Sequence, residues 1–291
     1  MHRKKALGSA DLSGVYTALV TPFRGGEVDL GTFRALCERQ IDAGVSGLVP
    51  CGTTGETPTL SEEEWASVVR AAVEVSSGRV PVIAGCGSNS TAHTVHALAA
   101  ARALGADAGL VVFPYYNKPN PPGMKAHVAA LVQAGLPVVL YHVPGRTGQR
   151  LPVSQLADLC EMPGIIGVKE ATGDVTYDLE FMLRYSGAVL SGDDFTFGPL
   201  MAFGAAGVIS VLSNVAPALT VQWAEACRGG DVAQMRALNA TLFPVVQYLF
   251  AEVNPVPVKM AMAEMGLIEA EFRLPLAPGN PPPAGLLDGL G

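Results

Sequence analysis

Eight short apolar runs alternate with helix-like segments along this chain, and that alternation constrains the fold more than any other feature. The runs are 14–22, 47–51, 80–85, 108–114, 137–143, 165–168, 188–191 and 207–211. Asp29 caps the first helix, with Leu30, Phe33, Leu36, Cys37 and Ile41 on one face. Ser61 and Glu64 form a Ser-x-x-Glu capping box for the second. Further helices are expected near 91–104, 122–134, 152–161, 175–185, 195–203 and 215–228. Unbroken apolar strands indicate a parallel sheet covered on both faces. Eight strand-helix units over about 220 residues point to an α/β fold of the closed (β/α)8 TIM-barrel type. An open doubly wound sheet is the runner-up, but it usually has fewer strands and no GxGxxG opens a unit. The stretch Gly85-Cys86-Gly87-Ser88-Asn89-Ser90 lacks the third glycine and reads as an ordinary strand-to-helix turn.

The pattern changes after residue 230. Residues 231–250 and 255–265 read as two helices, followed by a Pro/Gly-rich tail from 277. The expected organisation is a barrel over 11–229, carrying the active site, and a small C-terminal helical appendage over 230–291. Residues 1–10 read as untethered.

Composition excludes several function classes. The chain has 291 residues, is 49% hydrophobic and carries a net charge of −7. No basic stripe is present, so nucleic acid is not an expected partner. No apolar run reaches the roughly 20 residues of a membrane helix. His2-Arg3-Lys4-Lys5 is not followed by an apolar segment, so it is not read as a secretory signal. The five cysteines show no CxxC spacing and read as buried free thiols of a cytoplasmic protein.

In such a barrel, catalytic groups sit at the C-terminal ends of the strands. Strand two ends in Gly52-Thr53-Thr54-Gly55-Glu56, strand four in Pro114-Tyr115-Tyr116-Asn117, and strand five in Tyr141 and Pro144-Gly145-Arg146. Strand six ends in Lys169, strand seven in Gly192-Asp193-Asp194, and strand eight near Ser210–Asn214. Burying an ammonium is costly, so a lysine ending an apolar strand tends to lose its proton and become a nucleophile toward a ketone. Lys169 also fits a surface pair with Glu170 or Asp174. The hydroxyls and phenols at the same mouth favour the nucleophile. Lys4 and Lys5 lie in the N-terminal tail, Lys118 and Lys125 in a Pro/Gly-rich loop, and Lys259 in a helix start, so they fit this chemistry less well.

An imine-forming lysine needs a proton relay, and Tyr141, extended by Thr53 and Tyr116, can supply one. The bland reading of Tyr141 is a barrel-filling aromatic. Thr54 in its Gly-flanked turn suits a small carboxylate. Arg146 suits a second carboxylate, or is a surface loop residue. His93 and His96 are three apart on a helix, and His127 and His142 are isolated, so no metal site is expected. Asp193-Asp194 reads most plainly as a loop turn.

Four motifs carry a resemblance. Gly52–Glu56, Tyr115–Pro119, Tyr141–Gly148 and Gly167–Gly173 together resemble the dihydrodipicolinate synthase (4-hydroxy-tetrahydrodipicolinate synthase) family, among the class I pyruvate aldolases related to N-acetylneuraminate lyase. The resemblance runs from about Gly14 to Pro275. It implies a lyase in which Lys169 forms a Schiff base with pyruvate and no cofactor is needed. It also implies that Tyr141, Thr53 and Tyr116 relay protons, with Tyr115 or Tyr116 reaching into a neighbouring subunit's site. Thr54, Gly192 and the backbone near Ile209 would bind pyruvate, and Arg146 the carboxylate of aspartate 4-semialdehyde. The expected product is 4-hydroxy-tetrahydrodipicolinate, for lysine and diaminopimelate biosynthesis, made by a homotetramer built as a dimer of dimers.

Relatives acting on sialic acid typically lack the arginine and carry Ser-Thr at Thr53-Thr54. Competing readings are another Schiff-base aldolase or dehydratase acting on a sugar acid such as N-acetylneuraminate or 2-keto-3-deoxygluconate, a non-catalytic oxo-acid-binding barrel, and a metal-dependent aldolase. The chain departs from the family at His142, where asparagine is common. Strand alternation predicts that His142 points away from the mouth. It also departs at the family's lysine-effector pocket. Asn89 and Tyr115 match, but His93 replaces the acid, Trp65 and Glu62 replace histidines, and Thr57-Pro58 replace small residues. A vestigial effector site with weak or absent lysine feedback is expected.

Overall fold

The computed structural model describes residues 7–290. Its centre is eight strands: β1 (Gly14–Ala18), β2 (Gly47–Val49), β3 (Ile83–Gly85), β4 (Ala108–Val112), β5 (Val138–His142), β6 (Ile165–Glu170), β7 (Ala188–Ser191) and β8 (Gly207–Ser210). They pair in parallel in the order β2-β1-β8-β7-β6-β5-β4-β3. The ends of that row meet. Leu48 bridges Val82, Leu48 N donates to Pro81 O at 3.0 Å, and Gly85 N donates to Pro50 O at 2.9 Å. Closure removes exposed sheet edges, and the expected barrel is what forms.

The barrel helices are α1 (Leu30–Asp42), α2 (Glu62–Ser76), α3 (Thr91–Leu104), α4 (Pro121–Leu131), α5 (Val153–Cys160), α6 (Val175–Met182), α7 (Phe197–Ala202) and α8 (Pro217–Gly229). Two more follow, α9 (Val232–Leu249) and α10 (Val256–Glu264). The caps read from sequence are present. Asp29 accepts from Thr32 N at 2.9 Å. Ser61 N donates to Glu64 Oε2 at 2.9 Å while Glu64 N donates to Ser61 Oγ at 3.2 Å.

Strand alternation divides the core in two. Tyr16, Val49, Ile83, Leu110, Val139, Tyr141, Leu190 and Ile209 fill the barrel interior. Val15, Leu48, Val111, Leu140, Val168, Val189 and Val208 face outward and pack under the helices. Leu242, Val245, Val246, Leu249, Val258 and Met262 of α9 and α10 belong to that same outer cluster. The five cysteines are buried free thiols. Among the described residues no helix is long and apolar enough to cross a membrane.

The expectation of an untethered N-terminus needs correction at residues 7–10; residues 1–6 lie outside the described ones. Ala188 N donates to Ser9 Oγ at 2.9 Å, and Leu7 and Leu12 pack with the interior cluster. The physical reason is that apolar interior side chains need apolar cover against water, which this segment provides. Tyr16, held on its first strand, donates through its hydroxyl to Asp11 O at 3.4 Å and keeps the segment in place.

Candidate active site

Lys169 and Tyr141 are register partners on the adjacent strands β6 and β5, and both point inward. Lys169 Nζ lies 4.3 Å from the centroid of the Tyr141 ring. The lysine is 6% exposed, and among the described residues no carboxylate lies within salt-bridge distance of its Nζ. Burial lowers its pKa from 10.5 to about 8; the field of Asp194 opposes that shift and that of Arg146 adds to it. A minor fraction of Lys169 is therefore neutral amine near neutral pH, well above that of an exposed lysine.

Burial pushes the Tyr141 phenol up to about 12, while the Arg146 field and the nearby Thr53 hydroxyl partly offset it. Tyr141 stays protonated at neutral pH, with the Thr53 hydroxyl beside it. The structure thus brings Lys169, Tyr141 and Thr53 together. Tyr116 stands apart: it is 90% exposed, in a left-handed backbone conformation with φ +72°. Tyr115 beside it is half-buried.

Gly192 follows β7 and lies against the lysine. A Cβ there would come 2.8 Å from Lys169 Cε and 2.7 Å from Ala171 Cβ, so only glycine lets the lysine run past this wall. Ile209 is fully buried in the interior cluster next to this floor. Thr54 is buried at the end of β2, and Arg146 is exposed on the one-turn helix Pro144–Thr147 that follows β5. Arg146 acts on both Lys169 and Tyr141 through space, so its charge faces the same mouth.

Three participants were not singled out from sequence. Asn254 precedes α10, and its Nδ2 donates to Thr54 Oγ1 at 2.9 Å while its carbonyl accepts from Arg146 Nη2 at 3.1 Å. One residue of the C-terminal region therefore ties Thr54 to Arg146. The only sequence signal was Asn-Pro, which reads as a helix start. Asp194 is not an ordinary loop turn residue. It is 1% exposed, and its Oδ2 accepts from Val211 N at 2.8 Å and Leu212 N at 2.9 Å. Burial raises its pKa to about 6 against those hydrogen bonds. Lys259, passed over as a helix-start residue, is fully buried and pairs with Glu56 Oε1 at 2.5 Å. Glu56 ends the Thr53-Thr54 turn with φ +53°, so this ion pair anchors that turn to α10.

The residues at the expected effector pocket gather in part. Thr57 and His93 line a cavity of about 480 Å³ with Glu62 and Trp65. Pro58 is exposed, and the Asn89 carbonyl accepts from Asn117 Nδ2 at 2.8 Å. Among the described residues no group of three or more His, Cys, Asp or Glu side chains is placed to hold a metal.

The chain matches the Dihydrodipicolinate synthetase family over residues 11–281. It is 48% identical over 269 residues to the 4-hydroxy-tetrahydrodipicolinate synthase of Maridesulfovibrio salexigens, covering 91% of this chain and 92% of that protein. Among solved structures, it is similar to the chloride-inhibited dihydrodipicolinate synthase of Acinetobacter baumannii complexed with pyruvate, with a TM-score of 0.89, 43% identity, and coverage of 92% and 93% of the two chains. It is also similar to a monomeric dihydrodipicolinate synthase variant, with a TM-score of 0.91, 39% identity, and coverage of 94% and 93%.

Proposed function

This chain belongs to the dihydrodipicolinate synthetase family, and we propose that Lys169 is the imine-forming nucleophile of its reaction. Its activity is that of a 4-hydroxy-tetrahydrodipicolinate synthase, a class I aldolase-type lyase in lysine and diaminopimelate biosynthesis. The substrates are pyruvate and aspartate 4-semialdehyde.

The proposed steps follow from the groups at the mouth. Neutral Lys169 attacks the pyruvate ketone. The carbinolamine loses water as Tyr141, with the Thr53 hydroxyl beside it, passes a proton to the departing oxygen. The Tyr141 phenolate left by that step takes a methyl proton to give the enamine, whose carbon bonds to the aldehyde carbon of the second substrate as the same phenol returns the proton to the aldehyde oxygen. The amine of that substrate then attacks the imine carbon, the ring closes, and Lys169 leaves as free amine. One water departs overall. Thr54, with the backbone near Ile209, holds the pyruvate carboxylate; Gly192 leaves room for it; and Arg146 takes the carboxylate of the semialdehyde.

The observation that carries this reading is a buried lysine that, among the described residues, has no carboxylate partner and lies 4.3 Å from the ring centroid of a buried tyrosine. Tyr116 completes the relay from a second copy. Its 90% exposure leaves it open to a neighbouring subunit, in keeping with a homotetramer built as a dimer of dimers. The five buried free thiols support a reducing, cytoplasmic setting. The cavity lined by Thr57 and His93 is read as an effector site that responds weakly or not at all to lysine, because an imidazole is a poor partner for an ammonium.

Product analysis tests the substrate assignment. Pyruvate with aspartate 4-semialdehyde gives the cyclic product, and N-acetylneuraminate or 2-keto-3-deoxygluconate gives no cleavage. Turnover of a sugar acid in preference to the condensation would overturn the assignment.

A further inference from the structure

We propose that His142, Glu170 and Asp178 are positioning residues for this reaction, a buried hydrogen-bonded chain that fixes Lys169, Tyr141 and the Arg146 loop relative to one another. The inference rests on Lys169 as the imine-forming group.

The chain lies on the outer face of the same two strands. His142 follows Tyr141 and Glu170 follows Lys169, and they are register partners as the inner pair are. His142 Nδ1 lies 2.9 Å from Glu170 Oε1, with both side chains at most 1% exposed. Leu151 N donates to His142 Nε2 at 3.1 Å. A backbone N–H only donates, so Nε2 holds a lone pair and the proton sits on Nδ1, donating to Glu170. One neutral imidazole therefore joins the end of the loop bearing Arg146 to the strand bearing Lys169.

Glu170 carries the link onward. Thr172 N donates to Glu170 Oε2 at 3.0 Å, and Thr172 Oγ1 donates to the same oxygen at 2.9 Å. Thr172 Oγ1 also lies 3.2 Å from Asp178 Oδ1, so the Glu170 and Asp178 carboxyls meet at one hydroxyl. Burial and Glu170 raise Asp178 to about 9, so the proton that two neighbouring buried carboxyls require resides on Asp178. Asp178 lies on α6, which ties that helix to β6.

The surrounding groups close the cluster off. Phe113 lies edge-on to His142 at 6.1 Å, and Tyr177 lies 5.6 Å from it. Tyr177 donates to Leu151 O at 2.9 Å. Arg150 stacks over Tyr177 and pairs with Asp174 at 2.7 Å, leaving its charge outside. Cys160 of α5 faces Tyr177 as a buried neutral thiol. Among the described residues no Lys or Arg lies within salt-bridge distance of Glu170, and Arg150 acts on it only through space, so the cluster holds its geometry mainly through hydrogen bonds.

The test is steady-state kinetics against pH on wild type, H142F, H142N and E170Q, with pyruvate trapping by borohydride on each. H142F keeps a ring but loses both hydrogen bonds. Its kcat is expected to fall at least about tenfold. Its KM for the semialdehyde should rise through the freed Arg146 loop. The midpoint of its pH profile should move up as water reaches Lys169. H142N retains a donor toward Glu170 and should recover part of the loss. E170Q is nearly isosteric and carries the test should H142F not fold. Folded H142F or E170Q with wild-type kcat, KM and pH profile overturns the proposal. Failure of the underlying reading looks different, because wild type itself would then give no trapped adduct.

Discussion

Tyr141 and Lys169 occupy the same register step on neighbouring parallel strands, with the lysine nitrogen 4.3 Å from the phenol ring centroid. Two strands of one closed barrel set this spacing, so it does not depend on a flexible loop. Lys169 owes its chemistry to what surrounds it. Lys259 is also buried, but it pairs with Glu56 at 2.5 Å. Among the described residues Lys169 has no such partner, and burial pulls it to about 8.

The first prediction concerns pH. A lysine is nucleophilic when deprotonated, so kcat/KM for pyruvate should rise as pH passes up through about 8. Tyr141, held near 12, contributes no break below that point. Y141F should lose about 100-fold in kcat, the low end for general acid–base catalysis. Rate measurements from pH 6 to 10 check both statements.

Gly192 has no space for a side chain. G192A would set a Cβ 2.8 Å from Lys169 Cε and force the lysine aside. A displacement of about 1 Å costs about 100-fold in rate. The expected result is a folded protein with that order of loss in kcat, read by circular dichroism and steady-state assay together.

The Lys259–Glu56 pair predicts a stability effect. K259M leaves a buried carboxylate without its partner, which costs about 3–5 kcal/mol. The double variant K259M/E56Q should recover much of that loss. Denaturant melts of the three proteins measure it, and additive losses would contradict the pairing.

Asp178 and His142 predict how stability varies with pH. Burial and Glu170 push Asp178 up to about 9, so the folded state keeps a proton that the unfolded chain releases near 3.8. That contribution is complete below the unfolded value and is lost as pH rises through about 9. His142 is pulled down to about 4 by burial, so the unfolded chain binds the extra proton between that value and 6.5. Stability therefore falls as pH drops through that window, opposing Asp178 there. Above it, Asp178 acts without that opposition. D178N should flatten the loss of stability between pH 7 and 9, as read by thermal melts.

Lysine feedback is the fifth test of specific residues. With His93 in place of an acid, millimolar lysine should leave the rate nearly unchanged. Strong inhibition in a steady-state assay would contradict that reading.

The barrel was legible because its signal is repeated. Eight apolar runs such as Ala108–Val112 and Ala188–Ser191 each announce a strand buried on both faces. That Lys169 and Tyr141 lie side by side at one mouth was legible because strand ends in this architecture converge there. The outward direction of His142 followed from alternation, and its ring does point away from the mouth to Glu170. Asn254, Asp194 and Lys259 were not legible. Each acts through a partner far away in sequence: Thr54, the amides of Val211 and Leu212, and Glu56. Periodicity reports an element's own face and says nothing about which distant turn it meets.

The central claim is that Lys169 bonds covalently to pyruvate, and intact mass after borohydride reduction with pyruvate tests it most directly. Wild type should gain one reduced pyruvate adduct, and K169A none. Absence of an adduct on folded, active wild type, or an equal adduct on K169A, would contradict the account.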